Sequence, residues 1–201
     1  MDIKAIGFDF GGVISTHKSV MPEIAQITGV PLDEIKKIYF ENNKLANAGN
    51  LSYPELWGLI LDKLGKLEKF PEVKEHLLQN SKADINQDML GLIDQLRSSG
   101  YKVGMLSNNT IENANQMRQE GLDKYFDVFL ISADIGFQKP EPEAFQVLFD
   151  RLEVDPQELV FVDDSEQSLR KANEIGFHPI LFKSFEQLKI DLNQLGVNNL
   201  S

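Results

Sequence analysis

The chain of 201 residues contains no cysteine. Disulfides, thiolate metal sites and a cysteine nucleophile are thereby excluded. Positive charge is scarce as well: 20 lysines and arginines stand against 31 aspartates and glutamates, a formal net charge of -11. A nucleic-acid partner is not expected, because phosphate backbones bind basic surfaces. A small phosphorylated molecule needs only a local positive site. No stretch approaches the roughly 20 apolar residues of a membrane span, and Asp9 interrupts the only early apolar run. Nor does the N-terminus carry a basic region followed by a long apolar one, so a cytoplasmic protein without a membrane partner is the expectation. Internal repeats and low-complexity segments are missing too. What remains is 42% hydrophobic and 25% charged, an ordinary globular composition. The length suffices for one sizeable core, or for a core carrying an insertion.

Residues 3–14 read Ile-Lys-Ala-Ile-Gly-Phe-Asp-Phe-Gly-Gly-Val-Ile. The mostly apolar run 5–8 suits a strand buried on both faces of a parallel sheet. Asp9 follows directly, and then Gly11-Gly12, glycines that let the backbone approach a ligand closely. The plainer reading is an aspartate that merely starts a turn. Three later stretches repeat the strand-then-polar form. Residues 103–106 run into Ser107-Asn108-Asn109-Thr110. Residues 128–131 precede a loop in which Lys139 stands before Pro140-Glu141-Pro142. Residues 159–162 lead into Asp163-Asp164-Ser165. A fifth strand at 180–182, beside Pro179, suits a sheet edge.

Between the first and second strands the pattern is helical throughout. Pro22 and Pro31 open helices ending near Gly29 and Gly49, Ser52-Tyr53-Pro54-Glu55 fits a capping box, and Pro71 starts a shorter helix. The reading is a core of residues 1–16 and 84–201, with a helical cap of residues 17–83 inserted after the first strand. In the core, helices are expected from Asn86 to Gly100, up to about Glu120, over 141–152, from Ser165 to Gly176, and over 185–195. Such alternation gives an α/β fold, a doubly wound, Rossmann-like parallel sheet with right-handed crossovers. Strand C-termini then share one edge, and ligands bind where the winding reverses. That rule draws Asp9, Ser107, Lys139, Asp163 and Asp164 together.

Three carboxylates at one pocket repel one another unless a cation sits among them. Oxygen donors without histidine or cysteine nearby suit Mg²⁺. Lys139 then holds a phosphoryl oxygen or neutralises Asp9, and the Ser107 hydroxyl with nearby backbone N–H groups binds other oxygens. Taken singly, Asp163-Asp164 could simply cap the following helix and Lys139 could be a solvated surface lysine. Their coincidence at strand ends favours a site. A carboxylate placed among a cation, a lysine and a hydroxyl is poised to attack phosphorus, forming an aspartyl-phosphate that water later hydrolyses.

The four stretches resemble the motifs of the haloacid dehalogenase superfamily, in its group with a helical cap after the first strand. The matches are Phe8-Asp9-Phe10-Gly11-Gly12-Val13, Leu106-Ser107-Asn108, Lys139-Pro140-Glu141-Pro142 and Phe161-Val162-Asp163-Asp164-Ser165, in the family's order along essentially the whole chain. The resemblance implies that Asp9 is nucleophile and metal ligand, and that Ser107, Asn108 and Lys139 bind the phosphoryl group. It also implies that the Gly11 carbonyl, Asp163 and Asp164 complete an Mg²⁺ site, and that the cap moves. One position departs from the pattern. Phosphatases of this family usually carry a second aspartate, a proton donor, where this chain has Gly11; His17 is a candidate substitute. The expected function is an Mg²⁺-dependent phosphatase acting on a small phosphorylated metabolite, a sugar phosphate foremost. The alternatives are a phosphate-binding regulatory protein of the same fold and a 2-haloacid dehalogenase; retention of Asp163-Asp164 argues against the latter. Monomer and homodimer are both open, as is the share of the 48–50 turn in substrate contact.

Overall fold

The structure, a computed structural model, describes residues 2–16, 19–79 and 84–197. After β1 (Ala5–Phe8) come the helices α1 (Met21–Thr28), α2 (Leu32–Asn42), α3 (Lys44–Asn47), α4 (Tyr53–Lys63) and α5 (Phe70–Gln79). Then follow α6 (Gln87–Ser98), β2 (Lys102–Ser107), α7 (Ile111–Gln119), β3 (Val128–Ile131), α8 (Ser132–Ile135) and α9 (Pro142–Leu152). The chain ends with β4 (Leu159–Asp163), α10 (Glu166–Leu169), α11 (Ala172–Ile175), β5 (His178–Leu181) and α12 (Phe185–Gln194).

The five strands form one parallel sheet in the order β3-β2-β1-β4-β5. From the central β1 the chain winds outward through β2 and β3, then crosses back to build β4 and β5 on the other side. The winding therefore reverses between β1 and β4, where a parallel sheet leaves its crevice. Phe8 is level with Val162, and the Asp9 N–H donates to the Val162 carbonyl at 2.8 Å. Asp9 and Asp163, the next residues along, are thus neighbours by register.

Alternation along the strands feeds two apolar layers. Ile6, Phe8, Val103, Met105 and Val162 pack with Met89, Ile93 and Leu96 of α6 and Leu188 and Leu192 of α12. Ala5, Leu106, Leu130 and Phe161 pack with Phe145, Leu148 and Leu152 of α9. Gly7 and Gly104, paired across β1 and β2, make room on that second face. A Cβ at Gly104 would lie 2.8 Å from Leu148, and one at Gly7 would lie 2.6 Å from Phe161. Among the described residues, no helix is long and apolar enough to cross a membrane.

Helices α1, α2, α4 and α5 bury a third cluster of their own, with Ile24, Ile35, Leu56, Trp57, Ile60 and Val73 fully enclosed. The Ser52 capping box forms at the start of α4: the Ser52 hydroxyl accepts from the Glu55 N–H at 3.3 Å, and the Glu55 carboxylate accepts from the Ser52 N–H at 2.8 Å.

Several elements differ from the sequence reading. The helix expected from Pro31 to Gly49 breaks at Asn43, after Asn42 turns its amide onto the Ile38 carbonyl at 2.6 Å. Asparagine side chains compete in this way with helical backbone bonds. The helix expected from Ser165 to Gly176 is two short ones, interrupted at Arg170-Lys171. Strand β5 starts two residues before Ile180, with Pro179 inside it, and is an edge strand as its proline requires. Ser15, a polar residue shortly after the glycine pair, is buried and bridges to Gly11 and Ile85.

Candidate active site

The three adjacent strands β2, β1 and β4 each end in polar side chains along one edge of the sheet. Asp9 follows β1, Ser107 ends β2, Asp163 ends β4 and Asp164 follows it. Lys139 arrives from the loop between α8 and α9. Carboxylate oxygens of Asp9, Asp163 and Asp164 all lie within 4.8 Å of one another. The Lys139 ammonium sits between two of them, 2.8 Å from Asp9 Oδ1 and 2.5 Å from Asp163 Oδ2. It also lies over the Phe161 ring, 5.1 Å from the centroid.

Burial gives these charges their weight. Lys139 is 4% exposed, Asp163 fully buried and Asp9 9% exposed, whereas Asp164 faces solvent. Burial alone would lower the Lys139 pKa, but the charges of Asp9 and Asp163 outweigh it and hold the ammonium protonated. Burial, against the pull of Lys139 and with a further push from Asp9, leaves the Asp163 carboxyl raised to about 6. Asp164 is raised too, by desolvation and then by Asp9. Two of the three carboxylates are thus harder to ionise than free ones, chiefly because they are desolvated.

The backbone around these groups is tied down. Asp163 Oδ1 accepts from the Ser165 N–H at 2.8 Å, so the same Ser165 whose hydroxyl caps α10 also orients Asp163. The Asn108 side chain is taken up by the Lys139 main chain: its amide donates to the Lys139 carbonyl at 2.8 Å and its oxygen accepts from the Lys139 N–H at 2.7 Å. It holds the end of β2 to the lysine loop. The Ser107 side chain is buried at the end of β2.

Gly12 has φ +74° and lies so close to Asp164 that a Cβ would overlap the carboxylate, so conformation and space both require glycine there. Gly11 differs. Its backbone is outside the left-handed region, and a Cβ would meet nothing nearer than Asp9 Oδ2 at 4.0 Å. His17 lies outside the described residues.

Sequence reasoning brought these residues to one edge but missed the Asn108 clamp, the Ser165 N–H and the Gly12–Asp164 approach. The first two depend on which main chain comes near, a fact no side-chain pattern records. Only Gly12 left a signal, the second glycine of a pair directly after the aspartate.

The ion-pair geometry makes a stability prediction. Lys139→Ala leaves two buried carboxylates facing each other, and removing one partner of a buried pair costs about 3–5 kcal/mol. At this chain length that corresponds to a Tm lower by roughly 6–20 °C. A thermal melt in EDTA checks it, and an unchanged Tm would show that the lysine does not hold the carboxylates together.

Fold and strand ends together define a Rossmann-like parallel sheet with an acidic cluster at one edge. Comparison with known proteins makes this specific. The chain belongs to the haloacid dehalogenase-like hydrolase family, which it matches over residues 3–176. It is 28% identical to Phosphatase MT3486 of Mycobacterium tuberculosis, over 82% of this chain and 80% of that protein. It is 25% identical to (S)-2-haloacid dehalogenase 4A of Burkholderia cepacia, over 89% of this chain and 82% of that one. Against bifunctional epoxide hydrolase 2 of Rattus norvegicus it is 25% identical over 91% of its own length, and spans 37% of that relative. Among solved structures, a magnesium complex of a HAD family enzyme from Bacteroides thetaiotaomicron superposes with a TM-score of 0.72 at 23% identity, covering 94% of this chain and 99% of that one. That likeness speaks for the fold.

Proposed function

We propose that this hydrolase is a divalent-cation-dependent phosphatase acting on a small phosphorylated metabolite, with sugar phosphates foremost. The observation that carries the reading is the carboxylate triad within 4.8 Å, two of whose members share one buried lysine. Hard oxygen donors, one of them open to solvent, fit Mg²⁺. Asp9, Asp163, Asp164 and the Gly11 carbonyl would hold the ion. When bound, it would offset the repulsion between an anionic nucleophile and an anionic ester.

In this reading Asp9 attacks phosphorus with a carboxylate oxygen, and the bond from phosphorus to the ester oxygen breaks. The departing alkoxide takes its proton from solvent, since Gly11 offers none. Water then attacks the aspartyl-phosphate, releasing inorganic phosphate and restoring the Asp9 carboxylate. The Lys139 ammonium, fixed at Asp9, and the Ser107 hydroxyl hold phosphoryl oxygens. Asn108 keeps Lys139 in place from beside the pocket. The helices of residues 17–83 act as the cap that closes over the site and excludes water. A phosphatase and a dehalogenase both stand among the relatives; the retained Asp163-Asp164 pair favours phosphate chemistry here.

Phosphate release from a panel of sugar phosphates and from p-nitrophenyl phosphate, with Mg²⁺ and with EDTA, tests the proposal, with 2-chloropropionate as the dehalogenase control. Metal-dependent phosphate release supports it. Chloride release, or silence on every ester by folded, metal-supplied protein, overturns it.

A further inference from the structure

A cleft of about 600 Å³ opens beside the site, sharing Asn108 and Lys139 with it. One wall is helical, carrying Lys44 of α3, and the other carries Arg170 and Lys171, the pair that interrupts α10 and α11. These three cations form no ion pair or hydrogen bond among the described residues. With Lys139 they put four cations on one cleft of a chain with eleven more acids than bases. Among the described residues the one carboxylate lining the cleft is Glu141, and it accepts from the Gln138 N–H at 3.0 Å. Cations gathered on a cavity with a single acid, itself engaged by a backbone N–H, repel one another until an anion joins them. Arginine, with its planar fork, is suited to carboxylates and phosphates.

We infer that the cleft binds a second anionic group of the substrate, a carboxylate or another phosphate, a few bonds from the ester that is cleaved. The inference rests on the phosphatase reading above and narrows it to doubly anionic metabolites. Because Lys44 stands on one wall and Arg170-Lys171 on the other, the second anion also joins the helical segment to the sheet side. Ligand charge, and not only ligand shape, then governs closure.

Titration calorimetry with non-hydrolysable ligands tests this without relying on turnover. In the presence of Mg²⁺, 3-phosphonopropionate carries both anions and ethylphosphonate only one. A charge-assisted contact made in a partly enclosed site predicts that the first binds about 10–100-fold more tightly. In the double variant Arg170→Ala, Lys171→Ala that ratio falls to near one, and Lys44→Glu on the opposite wall lowers it as well. Equal affinity for the two ligands in the unaltered protein, or a preference that survives the double variant, overturns the second-anion site alone. If neither phosphonate binds, the phosphoryl pocket itself fails and this inference goes with it.

Discussion

Asp9→Asn abolishes turnover: release of p-nitrophenol from its phosphate falls by roughly 10⁴–10⁶-fold, the scale on which loss of a covalent nucleophile is felt. The substitution is nearly isosteric, so the loss is chemical. A carboxamide oxygen is a poor nucleophile, and the amide has no charge with which to meet phosphorus. The fold survives, because Lys139 keeps its 2.5 Å contact with Asp163 and the strand register around Phe8 and Val162 is a main-chain matter. Circular dichroism and a thermal melt alongside the assay separate the two effects. A variant that is folded and still retains a tenth of the rate would move the nucleophile elsewhere.

Gly11→Asp is the opposite case, a gain. The site has room and an ordinary backbone at this position, with the nearest atom to a Cβ being Asp9 Oδ2 at 4.0 Å. A carboxyl placed there stands next to the nucleophile, and its proton is held by the surrounding negative charge. A positioned general acid is worth about 10²–10⁴-fold. The benefit falls on substrates whose leaving group needs a proton, so kcat for alkyl and sugar phosphates rises by about that factor. p-Nitrophenyl phosphate, whose leaving group departs without help, changes little. A fourth carboxylate also lowers stability when no cation is present, seen as a lower Tm in EDTA. Equal gains on both ester types would show that the effect is not proton donation.

The strands were legible because each is a short apolar run that the sheet buries on both faces. β1 and β3 begin and end where the hydrophobic pattern does. The strand-end residues were legible for the same reason, since parallel topology dictates that polar groups after buried strands share an edge. Contacts between segments distant in sequence were not legible. Asn108 reads as a substrate group, yet its amide is taken up by the Lys139 backbone thirty-one residues away. Trp57 and Phe70 could have been exposed or enclosed on periodicity alone; Trp57 is fully buried and Phe70 packs partly buried against the same cluster. At the turn 48–50, Gly49 packs against the Ala133 carbonyl, where a Cβ would lie at 2.9 Å, while Asn43, Lys44 and Asn47 line the neighbouring cleft, a pairing of segments no periodicity records. Helix breaks at Asn43 and Arg170-Lys171 escaped because apolar spacing continues across them while the backbone does not.

The helical segment has an apolar core that shares no residue with the two cores flanking the sheet. Substitutions in separate, non-touching clusters combine nearly additively. In the proposed reading the chemistry lies on the sheet stretch alone, while selectivity is shared between Lys44 of the helical segment and Arg170-Lys171 of the sheet stretch. Drift that reshapes Lys44 or its helix leaves Asp9 and Lys139 in register, so descendants of this protein can change their diet without relearning how to cleave.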